Sequence, residues 1–101
     1  MAATDIVIGE LEGSARDPNL RAAAYRVRAR ALLAMGMLDA ASAAADTAAE
    51  IARVVEAKSE IAEALLARAD IDDALGAPET AAHSRARAHE ILRELGVVDR
   101  G

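Results

Sequence analysis

The chain has 101 residues, of which 28 are alanine, none is cysteine, tryptophan or phenylalanine, and a single one, Tyr25, is aromatic. That length makes one domain, near the lower limit for a single core, and the lack of cysteine excludes disulfides, thiolate metal sites and thiol nucleophiles. The net charge of −5, with eleven arginines against one lysine, argues against nucleic acid as the main partner.

At the start, Met-Ala-Ala-Thr-Asp lacks the basic stretch and long apolar run of a secretory signal, and Ile6-Val7-Ile8 is far too short to span a membrane. A cytoplasmic protein without a membrane partner is expected. Asp17-Pro18 then reads as an N-cap followed by proline in the first helical position. Leu20, Ala24, Val27, Ala31 and Met35 recur at helical spacing, and Gly36 sits where a left-handed C-terminal cap is wanted. Asp39 is expected to cap a second helix running to about Ala57, and Ser59 a third, with Glu60 and Glu63 favourable in its first turn. Ile61, Ala64, Leu65, Ile71 and Leu75 form the apolar stripe of that third helix. Gly76 ends it, Pro78 opens a fourth, and Gly96 closes the fourth after Leu95. Alanine is the best helix former and lets helix axes approach closely, so the expected fold class is all-α, with stability drawn from long close contacts.

Sliding the chain against itself by forty residues makes eleven positions identical between 21–55 and 61–95. Six are alanine pairs, which an alanine-rich chain produces partly by chance. The other five are Arg28/Arg68, Gly36/Gly76, Glu50/Glu90, Ile51/Ile91 and Arg53/Arg93. The same offset lays Glu10-Leu11 on Glu50-Ile51 and Glu90-Ile91, so residues 4–13 look like the second helix of a preceding repeat. The chain therefore reads as one domain over 1–101 containing a half repeat at 4–13 and full repeats at 18–57 and 58–96, about five helices in all.

With Gly36 and Gly76 as turn glycines, alanine fills every position where the tetratricopeptide repeat family prefers a small residue: Ala29 and Ala69, Ala41 and Ala81, Ala48 and Ala88. The chain resembles that family over residues 18–96, in the longer-helix variety found in bacterial transcriptional activators and signalling proteins. It departs from the pattern at Asp72, where a large apolar residue is usual, and at Ala45 and Arg85, where an aromatic is usual. The resemblance implies antiparallel helical hairpins stacked as a short array. It also implies a non-enzymatic module that binds a protein or peptide, with no cofactor. The alternative is a structural or oligomerisation bundle without a groove ligand.

Carried over from the family, the partner-facing positions fall on the first helices of the repeats: Ala23, Arg26, Val27, Arg30, Leu33, Glu63, Leu66, Asp70 and Asp73. Residues 16–38 carry five arginines and one aspartate, whereas 56–79 carry seven acids and two bases. Arg26 and Arg30 would take the carboxylates of a partner peptide, or Arg30 would pair with Glu63 or Asp70 on the neighbouring helix. Asp70, Asp72 and Asp73 lack the glycine-containing loop of a calcium site. They also oppose the helix dipole, which hints at basic residues meeting them. His83 and His89, six apart, cannot share a helix face as a metal pair, and no serine has a base placed for nucleophilic work. A stacked array leaves apolar surface at its ends. Ile91, Leu92, Leu95, Val97 and Val98 at one end, and Ile6, Val7, Ile8 and Leu11 at the other, predict self-association as a symmetric dimer.

Overall fold

A computed structural model of the chain describes residues 17–96. These form four helices of 17 residues each: α1 (Pro18–Ala34), α2 (Leu38–Val54), α3 (Lys58–Ala74) and α4 (Pro78–Glu94). Among the described residues no helix is long and apolar enough to cross a membrane. The half repeat expected at 4–13, with Ile6, Val7, Ile8 and Leu11, lies outside the described residues, as do Val97 and Val98.

The three connections are built alike. Gly36 at φ 79° and Gly76 at φ 83° close α1 and α3 in the left-handed region, and Glu56, at φ 56°, does the same for α2. In each turn two amides bond backwards. Met37 N donates to Leu32 O at 2.9 Å and Gly36 N to Leu33 O at 3.0 Å; Ala57 N donates to Ala52 O at 2.9 Å and Glu56 N to Arg53 O at 3.1 Å. Ala77 and Gly76 repeat the pattern on Asp72 and Asp73. This is the Schellman closure, which satisfies carbonyls that a helix end would leave bare.

The geometry corrects three expectations. α2 stops at Val54 rather than near Ala57, because Glu56 takes the role of the missing glycine. Asp39 and Ser59 lie inside the first turns of α2 and α3 instead of capping them, and the N-cap positions belong to Met37 and Ala57. The cause is the shortness of the connection. Met37 closes α1 through its N–H and opens α2 through its carbonyl, which accepts from Ala41 N at 2.9 Å, so no residue is left over for a polar cap. Only the Asp17 cap forms as expected among the four helix starts, its carboxylate accepting from Asn19 N at 2.9 Å.

A non-glycine residue in the left-handed region carries a backbone cost. Glu56→Gly is therefore expected to raise stability by about 0.5–1 kcal/mol, the relief of strain outweighing the extra freedom glycine gives the unfolded chain. Gly36→Ala should lower it by about 1 kcal/mol, purely through the backbone, since no atom lies within 4 Å of where its Cβ would stand. Urea denaturation of the two variants, followed by circular dichroism, reads both.

Packing follows chain order. α1 touches α2 and α3, α2 touches α1 and α3, and α4 touches α3 alone. Arg26 of α1 bonds Glu60 early in α3, and Arg30, one turn further on, bonds Asp70 later in α3, so α1 and α3 run in the same direction. The core is mostly alanine: Ala29, Ala41, Ala62, Ala69, Ala81 and Ala88 are among the residues with no exposed surface. Two larger side chains fill the gaps between close helices, Leu32 and Ile71, both fully buried. Ile71 joins Leu32 and Ala29 of α1 and Ala41, Ala44 and Ala45 of α2 in one cluster. Ile91 and Leu92 form a second with Ala62 and Ala88, flanked by Ile61, Leu65 and Leu66.

Candidate functional site

The expected face of α1 and α3 is present, and its charges meet one another. Arg26 Nε donates to Glu60 Oε1 at 3.3 Å, and Arg30 Nη1 donates to Asp70 Oδ2 at 2.8 Å. From the far side, Arg85 Nη2 donates to Asp70 Oδ1 at 2.9 Å and to Asp73 Oδ2 at 2.6 Å. A chain of alternating charge therefore runs Arg30–Asp70–Arg85–Asp73 over α1, α3 and α4. Of the two sequence readings of Arg30, the structure contains the pairing with Asp70. Glu63 is half-buried on α3, Leu66 is half-buried and packs on the second apolar cluster, and Val27 stands 51 % exposed between Arg26 and Arg30 in sequence.

The three aspartates near the end of α3 are each met by arginine. Asp72, buried, accepts from Arg68 Nε at 3.1 Å, and Arg68 Nη1 reaches across to Asp46 Oδ1 of α2. Arg68 thus has a definite role that its recurrence alone did not disclose: it fastens α2 to α3. Burial pulls its pKa down, but the bonds it donates to Asp72 and Asp46 outweigh this and hold it above the ordinary arginine value. Arg85 is likewise raised, by Asp73 first and then Asp70. Sequence reasoning missed Arg85, Glu60 and Asp46. The carboxylates set against the dipole of α3 were the available signal for Arg85. Among the described residues no group of three His, Cys, Asp or Glu is placed to hold a metal ion.

The hydrogen bond from Arg30, reinforced by that from Arg85 and opposed by partial burial, holds the Asp70 carboxyl below the usual aspartate range. A depressed carboxyl stabilises the fold above its unfolded pKa of about 3.9, and that contribution is lost as pH falls through the folded value. The urea midpoint is therefore expected to fall in acid below about pH 4, and Asp70→Asn should flatten part of the fall; identical acid profiles for the two proteins would refute it. With the side chain 42 % exposed, solvent keeps the effect modest.

The self-association residues divide. Ile91 and Leu92 are each 6 % exposed and committed to the α3–α4 core, so they are corrected from a free end surface to core residues, while Leu95 stays exposed at 44 %. The inward stripe of α4 is used up against α3, and its outer face carries His83, Ala86, Arg87, Glu90 and Arg93. His83 and His89 are both exposed. Exposed apolar side chains instead gather at the turns, with Met35, Met37 and Leu75 at one end and Val54 and Val55 at the other. The chain matches no protein-family model, no curated protein and no solved structure, so its candidate face rests on its own residues and geometry.

Proposed function

We propose that the chain is a non-enzymatic interaction module, a short tetratricopeptide-like stack of two helical hairpins that binds a protein or peptide along α1 and α3. The observation that supports this reading is the contact order. α1 and α3 lie side by side in the same direction and α4 reaches α3 alone, as in stacked hairpins; a bundle closed on one core would bring α4 back to α1. The charges on the face pair within the chain, so a partner gains from them mainly in orientation and register. Affinity comes from Val27 and the flanking apolar surface of Leu66, with Arg26, Arg30, Glu63, Asp70 and Asp73 as the polar rim.

Affinity capture with the immobilised chain, repeated with Val27→Glu, tests the proposal. A partner retained by the unsubstituted chain and lost from the variant, at an unchanged thermal midpoint, is expected; equal capture by both would remove α1 from the binding face. A second reading, an oligomerisation unit, draws on the exposed Met35, Met37 and Leu75 at the common end of both hairpins. Light scattering that finds a dimer at micromolar concentration, converted to monomer by Met37→Glu, would favour it.

A further inference from the structure

Each surface of the α1–α2 hairpin has a counterpart forty residues on in the α3–α4 hairpin, and the two counterparts are finished differently. In the second hairpin, the cleft along the seam is formed by Lys58 and Ile61 of α3 with Ile91 and Glu94 of α4, and α2 completes it. Arg53 of α2 lines the same cleft, and Asp46 of α2 holds Arg68 further along. In the first hairpin, the matching cleft lies between Pro18 and Arg21 of α1 and Glu50, Ile51 and Val54 of α2, with Val55 just past the helix end. The seam continues past Tyr25 and Arg28 beside Ala43 and Thr47. Among the described residues no helix covers it, and Val54 is left 73 % exposed and Val55 40 % exposed.

We propose that this seam is a helix-docking groove and that its occupant is residues 4–13 of the same chain. The structure itself supplies the template, since the segment that closes the second hairpin is α2. Subtracting forty from Asp46 and Arg53 gives Ile6 and Gly13, so the polar contacts of α2 are not repeated there, while Glu50-Ile51 falls on Glu10-Leu11. The chemistry matches. Asp5, Glu10 and Glu12 bring negative charge to a groove bearing Arg21 and Arg28, whose one acidic lining residue, Glu50, is already bonded by Arg53, while Ile6, Val7, Ile8 and Leu11 bring apolar surface to Ile51, Val54 and Val55. The connection fits as well. Asp17 caps α1 at the mouth of the groove, so residues 14–17 form the link, one residue longer than the 55–57 link between α2 and α3. The outer face of α4 offers no such site, since it presents His83, Arg87, Glu90 and Arg93 to the surroundings.

Because the chain has no cysteine, a nitroxide can be placed on Thr4→Cys in the full-length protein and its effect read on amide NMR signals. Docking predicts loss of peak intensity at Arg28, Ala43 and Thr47 and no loss at His83, Arg87 and Glu90. Val54→Asp, at a position 73 % exposed, should restore the lost intensity with the α-helical signal unchanged. Intensity unchanged at Arg28, Ala43 and Thr47, or loss that persists in Val54→Asp, would overturn the proposal. So would loss carried between molecules in a mixture of spin-labelled and isotope-labelled chains, which would make a second copy the occupant.

Discussion

Ile71→Ala is expected to destabilise the protein by about 4 kcal/mol, near the upper part of the range for truncating a buried isoleucine. Most of the buried side chains clustered with Ile71 are alanines from α1 and α2, Ala29, Ala41, Ala44 and Ala45, with Leu32 the one large buried member and Leu33 packed against the cluster's edge. Alanine has no rotamer to swing into a void, so the space left behind stays largely open and its lining loses contacts outright. The site also joins three helices, and α1, α2 and α3 would loosen together. For a domain of this size the loss corresponds to a fall of about 20 °C in the thermal midpoint. Val27→Ala, at an exposed position on α1, is the control and should change stability by less than about 0.5 kcal/mol. Denaturation monitored at 222 nm separates the two, and equal effects would mean that the alanine-lined cluster is not what holds the helices together. The converse change, Ala69→Leu, adds volume where no surface is exposed and should cost about 1–3 kcal/mol by overpacking.

The contrast between helix positions and helix ends shows how much of this molecule could be read from its sequence. The all-α class, the starts at Pro18 and Pro78 and the ends at Gly36, Gly76 and Gly96 follow from local chemistry, because proline and glycine state backbone angles directly. The end of α2 was obscured because Glu56 holds a left-handed angle that its side chain does not advertise. Its location was nonetheless implicit in the spacing, since 36, 56, 76 and 96 are evenly set and three of the four are glycine. Ser59 and Asp39 misled because a good capping residue counts for nothing when the preceding turn has already assigned the cap position to its neighbour. In the candidate face, the forty-residue offset brought Arg30 and Asp70 to equivalent positions on α1 and α3, and their bond follows from the two helices lying side by side. The carboxylates set against the dipole of α3 called for a basic partner, but that it is Arg85 depends on the relative rotation of α3 and α4, which no spacing encodes. Ile91 and Leu92 were assigned outward for a similar reason. Their periodicity marks an apolar stripe without saying whether α3 or another molecule covers it.

Arg68→Ala is expected to cost about 3 kcal/mol, whereas Asp72→Leu should be neutral or stabilising by about 1 kcal/mol, although each breaks the same ion pair. The asymmetry follows from where the charges lie. The Asp72 side chain is 4 % exposed and accepts one bond from Arg68; its second carboxylate oxygen is buried with no hydrogen-bond partner among the described residues. Removing Arg68 leaves that carboxylate inside the fold with nothing to balance it, at the full desolvation penalty. Removing Asp72 leaves Arg68 with 31 % of its side chain exposed and still bonded to Asp46, so no charge is stranded. The first repeat already shows the apolar solution, because Leu32 occupies the position equivalent to Asp72 and is fully buried. In the Asp72→Leu background, Arg68→Ala should then cost no more than about 1 kcal/mol, giving a coupling of about 2 kcal/mol in the double-mutant cycle. Additive effects would show that the pair is incidental. A large coupling together with a more stable Asp72→Leu protein would show that the repeat tolerates a buried charge for a structural end. That end would be the orientation of Arg68, whose Nε donates to Asp72 while its Nη1 reaches Asp46 of α2.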